Sequence, residues 1–183
     1  DVLNFTQAQA RLQERGIDVR AAVVTDDIAS ATIIERHLRR GIAGALPVFK
    51  AAAAAAEAGK ALDEVCRIAT EANHRVRTLG VAFSGCTLPG AHYPLFNVNQ
   101  GKMGVGMGIH GEPGLYQMDA LRADDLAIML VDKLMQDIPP MVKNSEDARV
   151  GVILNSLGSV AQEELFVVYR KVDQLLRERG LII

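Results

Sequence analysis

The residues best suited to chemistry in this 183-residue chain lie in Gly108-Ile109-His110-Gly111-Glu112-Pro113-Gly114. Ahead of them Met103, Val105, Met107 and Ile109 alternate with Gly104, Gly106 and Gly108. Period-two alternation predicts a strand over residues 103–110, and the glycines leave one of its faces bare, open to a ligand or another backbone. His110 then falls at the strand end, just before a Gly-Glu-Pro-Gly turn, and strand ends are where ligand sites in α/β sheets lie. A neutral imidazole nitrogen is a competent nucleophile toward a ketone carbonyl, and Glu112, two residues on, is spaced to orient the ring. By spacing alone the same residues also describe an ordinary turn with its imidazole in solvent.

The other candidates read differently. His37, His74 and His92 stand in unrelated contexts without metal-ligand spacing, so no metal site is expected. Gly104-Val105-Gly106-Met107-Gly108 is part of a dinucleotide-loop pattern, but it follows no strand–helix junction and lacks the acidic partner. Asp26-Asp27 reads as a strand-end turn and helix cap rather than a Mg²⁺ site. Arg39-Arg40 reads as a solvated or interface-facing pair, and Thr78 and Cys86 as structural. No Walker-type loop and no carboxylate cluster suited to Mg²⁺ and ATP is present, so no cofactor is expected on this chain itself.

Composition narrows the class. Hydrophobic residues make up 49%, which suits a packed core rather than disorder. A net charge of -2, 4% aromatic residues and no Trp argue against nucleic acid as a partner, since neither a basic face nor a base-stacking platform is supplied. Two cysteines without a CxxC pair fit a reducing compartment. The apolar run at residues 51–56 is alanine between Lys50 and Glu57, too short and weakly apolar to span a membrane, and a soluble cytoplasmic protein is expected. The opening at Asp1 and the apolar close at Leu181-Ile182-Ile183 both read as cut ends.

The elements that must carry these residues follow from pattern. Asn4, with Gln7 as box partner, predicts a helix cap for a helix through Arg15, with Phe5, Ala8 and Leu12 on one face and Gly16 as the stop. Residues 19–24 read as a strand ending at Thr25-Asp26-Asp27. The alanine-rich stretch 43–58 reads as a helix starting near Pro47 and ended by Gly59, and a second helix is predicted over 62–75. Residues 76–84 read as a strand and 85–94 as a loop with a Pro89-Gly90 turn. A helix is predicted over 123–134, a buried strand over 150–154, a loop at 155–159 and an amphipathic helix over 162–179. Strands and helices mix throughout, so the class is α/β, a layered mixed sheet with flanking helices.

The segment Gly106-Met107-Gly108-Ile109-His110-Gly111-Glu112-Pro113-Gly114 resembles the signature of the substrate-binding (K) subunit of dihydroxyacetone kinases. Eight further segments match in the same order. They are Asp1-Val2-Leu3-Asn4-Phe5, Asp26-Asp27, Arg39-Arg40-Gly41-Ile42-Ala43-Gly44 and Ala53-Ala54-Ala55-Ala56-Glu57-Ala58-Gly59, then Arg77-Thr78-Leu79-Gly80-Val81-Ala82, Cys86-Thr87-Leu88-Pro89-Gly90, Asn155-Ser156-Leu157-Gly158 and Glu164-Leu165. The resemblance covers nearly all of the chain and identifies residues 1–183 as a partial ketose-binding kinase domain. The family's upstream Gly-rich segment, with a second site histidine, and a downstream strand region are absent from these residues.

The resemblance implies a covalent hemiaminal between His110 and the ketone carbon of the substrate, which separates ketoses from glycerol. It implies that Asp1 takes the proton from the hydroxyl that receives phosphate, with Gly111 and Glu112 in support. It also implies a homodimer, and a separate nucleotide-binding domain or subunit carrying ATP and Mg²⁺, or a phosphotransferase-system relay as donor. Two departures bear on this. The family's usual Glu-Met-Glu reads Lys102-Met103-Gly104 here, and Pro47 replaces an aliphatic residue. The alternatives are therefore a kinase for a four-carbon ketose such as erythrulose, or a non-catalytic ketose-sensing coregulator.

Overall fold

A computed structural model describes residues 1–143 and 148–183. Two compact units divide the chain, Asp1–Thr78 and Leu79–Ile183. The mixture of helices with a small sheet is the expected α/β class.

The first unit contains helices α1 (Val2–Glu14), α2 (Ala45–Glu57) and α3 (Leu62–Arg75). Helix α3 has the predicted limits. Helix α2 begins two residues before Pro47, which the first turn tolerates because N–H groups there have no intrahelical acceptor. Gly59, at φ +73°, closes α2, and the N–H of Lys60 returns to the Ala55 carbonyl at 3.1 Å. Helix α1 starts earlier than the Asn4 cap predicts. Asp1 is its N-cap residue, without a side-chain cap bond, and Val2, Leu3 and Phe5 are exposed rather than packed as a core face.

Helices α2 and α3 pack on each other, burying Val48, Ala55 and Ala69. The predicted strand at 19–24 forms no ladder. Pairing comes later, where Asp27 bridges Thr78 in parallel, with Thr78 N–H to the Asp26 carbonyl at 2.9 Å and Ile28 N–H to the Thr78 carbonyl at 3.1 Å.

A buried polar cluster closes this unit. Asp26 is fully buried, and its carboxylate accepts the N–H groups of Ile42 at 2.9 Å and Gly44 at 2.7 Å. Gly44 precedes α2, so Asp26 caps that helix from a distant segment. A side chain at Gly44 would place its Cβ 2.5 Å from the Asp26 Cγ, so glycine is required for this approach. Asp27 accepts the Ala29 N–H at 3.0 Å and pairs with Arg40 at 2.7 Å. Arg39 is buried, with Nε donating to the Ala31 carbonyl at 3.0 Å. The reading of Arg39-Arg40 as a solvated pair is therefore corrected: Arg40 is drawn inward by the buried Asp27 carboxylate, and Arg39 is buried with its Nε on a backbone carbonyl.

The second unit holds an antiparallel sheet in the order β1 (Val81–Ala82), β2 (Lys102–Val105), β3 (Tyr116–Asp119), with helices α4 (Ala123–Gln136), α5 (Pro140–Lys143) and α6 (Gln162–Glu178). Helix α4 carries two adjacent apolar stripes. Leu126 and Leu130 pack with Met103 and Val105 of β2, while Ala127 and Val131 pack with Val172, Leu175 and Leu176 of α6. The i, i+4 spacing within each stripe is what lets one helix join sheet and helix. Arg170 of α6 holds Asp124 of α4 at 2.6 Å, and Arg179 pairs with Asp132.

The buried strand predicted at 150–154 is instead a single parallel bridge, Arg149 with Ile182, and Ile153 is exposed. The apolar run lacks a full ladder among the described residues, and Val150 and Val152 are partly buried against the α4–α6 core.

Two outcomes follow for the polar cluster. Asp26→Ala leaves two buried N–H groups without an acceptor and should cost about 2–4 kcal/mol, read by denaturant unfolding and by faster amide exchange at Ile42 and Gly44. Burial raises the Asp27 pKa above its ordinary 3.8 despite the Ala29 N–H and Arg40, which lower it. An acid whose folded pKa lies above its unfolded one binds more protons when folded. Its contribution to stability is present below 3.8 and is lost as pH rises through the raised value. Stability measured against pH should show that decline in the wild type and lack it in Asp27→Asn.

Candidate functional site

The strand that leads toward His110 is shorter than its alternation predicts. β2 ends at Val105, and Gly106 turns the chain at φ +76°. Residues 107–114 then double back, so that the Leu115 N–H reaches the Val105 carbonyl at 2.8 Å and β3 begins. His110 thus sits in a turn beyond the strand, with its side chain 66% exposed.

The bare glycine face is filled from within the unit. A Cβ on Gly104 would lie 3.1 Å from the Met107 Cγ and 3.8 Å from Val98, and one on Gly114 would lie 2.7 Å from the Val105 carbonyl oxygen. Gln117 of β3 holds the 97–99 segment nearby, accepting the Asn99 N–H and donating to the Asn97 carbonyl, each at 3.1 Å. Side chains, those of Met107 and Val98 at Gly104 and of Glu112 at Gly108, rather than another backbone or a ligand, take up the space beside these glycines. Pairing across β2 and β3 also absorbs Lys102, whose ammonium lies 2.7 Å from Asp119.

Glu112 is brought onto His110. One carboxylate oxygen accepts the His110 backbone N–H at 2.9 Å, and the other lies 3.5 Å from Nδ1 of the ring. Nδ1 therefore faces an acid, and the second ring nitrogen, Nε2, is the one not facing it. Gly111, at φ +84°, packs beneath Leu95, and a Cβ there would lie 2.8 Å from the Leu95 Cβ. The Leu95 N–H is bonded to the Cys86 carbonyl at 2.8 Å, which ties the neck of the 86–95 loop against this turn. Cys86 is exposed. Pattern reading missed Leu95, because its loop carries no periodicity and its contact with Gly111 is long-range.

Asp1 belongs to the first unit and His110 to the second. Asp1 is exposed, and its carbonyl accepts the Phe5 N–H at 3.0 Å. Among the described residues no group of three or more His, Cys, Asp or Glu is placed to hold a metal ion. The buried Asp26 and Asp27 carboxylates are committed to backbone N–H groups and Arg40, so they do not fit a Mg²⁺–nucleotide site. No helix of the described residues is long and apolar enough to cross a membrane.

The family pattern of the Dak1 domain matches residues 1–183, the whole chain. The chain belongs to the Dak1 domain family. This Dak1 domain is 55% identical over 183 residues to an L-erythrulose kinase of Pectobacterium atrosepticum, of which it covers 31%. It is 41% identical to the dihydroxyacetone-binding subunit of a phosphotransferase-system-dependent dihydroxyacetone kinase of Listeria innocua, of which it covers 54%. Its fold matches the crystal structure of the dihydroxyacetone kinase of C. freundii at a TM-score of 0.84 and 33% identity, covering 98% of this chain and 31% of that one. A dihydroxyacetone kinase operon co-activator matches at a TM-score of 0.87 and 30% identity, covering 99% of this chain and 55% of that one. The Dak1 domain thus spans about a third to a half of these relatives.

Gly111→Ala combines a left-handed backbone with a collision against Leu95. It should loosen the turn by about 1 kcal/mol or more, seen as faster amide exchange at Leu95 and Gly111 with the β2–β3 pairing kept.

Proposed function

We propose that this Dak1 domain is the ketose-binding part of a kinase for short-chain ketoses, and that His110 holds the substrate covalently. The observation that carries the reading is the His110–Glu112 pair: an accessible imidazole with Nδ1 against a carboxylate and Nε2 turned from it. The Nε2 lone pair attacks the ketone carbon and forms the N–C bond. The π pair of the carbonyl moves to its oxygen, which takes a proton from water, while Nδ1 gives its proton to Glu112, which returns it to water, so that one proton passes from ring to oxygen overall. The ring ends neutral in a hemiaminal, and Gly111 gives the turn the left-handed corner that presents it. Glycerol has no carbonyl and cannot be held this way.

A four-carbon ketose such as erythrulose is the preferred substrate in this reading. Relatives named erythrulose kinases are 51–55% identical, against 28–41% for those named dihydroxyacetone-binding subunits. Asp1 accepts the proton of the terminal hydroxyl as phosphate arrives, a task that needs orientation more than basicity. The phosphate comes from a separate domain or subunit carrying ATP and Mg²⁺, or from a phosphotransferase relay. Support comes from the C. freundii dihydroxyacetone kinase, solved with AMP-PNP and Mg²⁺, and from the Listeria relative, named as the subunit of a phosphotransferase-system-dependent kinase. A cytoplasmic homodimer acting in the metabolism of glycerol-related sugars completes the reading and rests on family resemblance. The match to a co-activator favours a second role, ketose sensing without transfer.

The full-length protein mixed with ketose ¹³C-labelled at its carbonyl should convert the ketone resonance to that of a tetrahedral carbon. His110→Ala should abolish that signal and the discrimination against glycerol. A His110→Ala protein that still selects ketose over glycerol sinks the proposal. Turnover with the nucleotide partner, ATP and Mg²⁺ separates the kinase from the sensor.

A further inference from the structure

Glu112 is an accessible acid on a flexible side chain, yet it is held at both its main chain and its carboxylate. Its backbone carbonyl accepts the Gly108 N–H at 3.2 Å, and its carboxylate accepts the His110 N–H at 2.9 Å. Between these two bonds the side chain crosses directly over the Gly108 Cα. A Cβ on residue 108 would lie 2.7 Å from the Glu112 Cδ and 2.8 Å from its Cβ, closer than real Cβ atoms come. Gly106 and Gly111, in the same turn, have φ of +76° and +84°, whereas Gly108 is not in the left-handed region. Glycine at 108 therefore serves space rather than backbone conformation, and Gly108 is itself buried.

We infer that Gly108 is a positioning residue for the His110 ring: the room it leaves seats the Glu112 carboxylate, and the seated carboxylate keeps the ring proton on Nδ1, so that Nε2 carries the lone pair. An ionised carboxylate accepts hydrogen bonds and donates none, so a ring nitrogen facing it is favoured in its protonated form. A loose surface acid would do this weakly. One already fixed by backbone bonds orients an imidazole as outer-shell carboxylates orient metal-binding histidines. Moving Glu112 aside frees the ring to put its proton on Nε2, and ketose affinity falls with the fraction of rings left competent. The consequence for ketose rests on the proposed role of His110; the tautomer does not.

The test uses the full-length protein with ¹⁵N-labelled histidine rings, first without ketose. The wild type should show His110 protonated on Nδ1. Glu112→Ala and Gly108→Ala should both lose that bias, and both should weaken ketose binding roughly three- to tenfold, the worth of one oriented hydrogen bond. The double variant should be no worse than Glu112→Ala alone. A wild-type ring protonated on Nε2, or a folded Gly108→Ala with the wild-type tautomer, overturns the inference. Should Gly108→Ala not fold, Gly108→Ala/Glu112→Gly removes the collision and must fold with the tautomer of Glu112→Ala; failure to do so also overturns it. A tautomer that behaves as expected in a wild type that forms no tetrahedral ketose carbon removes the proposed role of His110 and leaves the seat of Glu112 standing.

Discussion

Asp26 and Glu112 each lie against a glycine whose missing side chain is the space they fill. In the first unit the Asp26 Cγ would stand 2.5 Å from a Cβ on Gly44, and in the second the Glu112 Cδ would stand 2.7 Å from one on Gly108. In both places the carboxylate accepts backbone N–H groups, those of Ile42 and Gly44 at Asp26 and that of His110 at Glu112. Charge-assisted bonds to N–H groups are stronger than neutral ones and fix a loop at a defined distance. The cost is a position at which no side chain fits, so each acid and its glycine function as one piece.

The consequences differ because the surroundings differ. Asp26 is sealed, with Asp27, Arg39 and Arg40 packed around it, and the cluster ties the Asp27–Thr78 bridge to the entry of α2. There the carboxylate is structural. Glu112 is partly open to solvent, beside an imidazole that is more open still. There the same device holds a turn that carries an exposed imidazole, the proposed nucleophile. Stiffness behind His110 comes from β2 and its buried Met103 and Val105, which α4 covers with Leu126 and Leu130. The turn projects from that support, and the tied 86–95 loop braces it through Leu95.

The helices were legible because each rests on local signals. Alanine-rich composition marked α2, and Gly16 and Gly59 marked stops at φ +74° and +73°. Strands were less legible. Residues 19–24 and 150–154 have strand composition, but a strand is made by a neighbour, and neither run has a full ladder among the described residues. The alternation at 103–110 misled in its second half for a related reason. Gly106 adopts a left-handed conformation that alternation cannot reveal, and the chain leaves the sheet there.

The amino-acid sequence by itself singled out the candidate residues for chemistry. His110 and Glu112 stand two apart among glycines, and that pairing is local enough to be read from order and residue type. Tertiary structure decided what the glycines are for and what the charged pairs do. Gly108 faces Glu112 and Gly111 faces Leu95, while Arg40 turns inward to Asp27. These outcomes depend on which segments arrive beside one another after folding. Collision and burial are properties of such meetings, and no stretch of chain contains them alone.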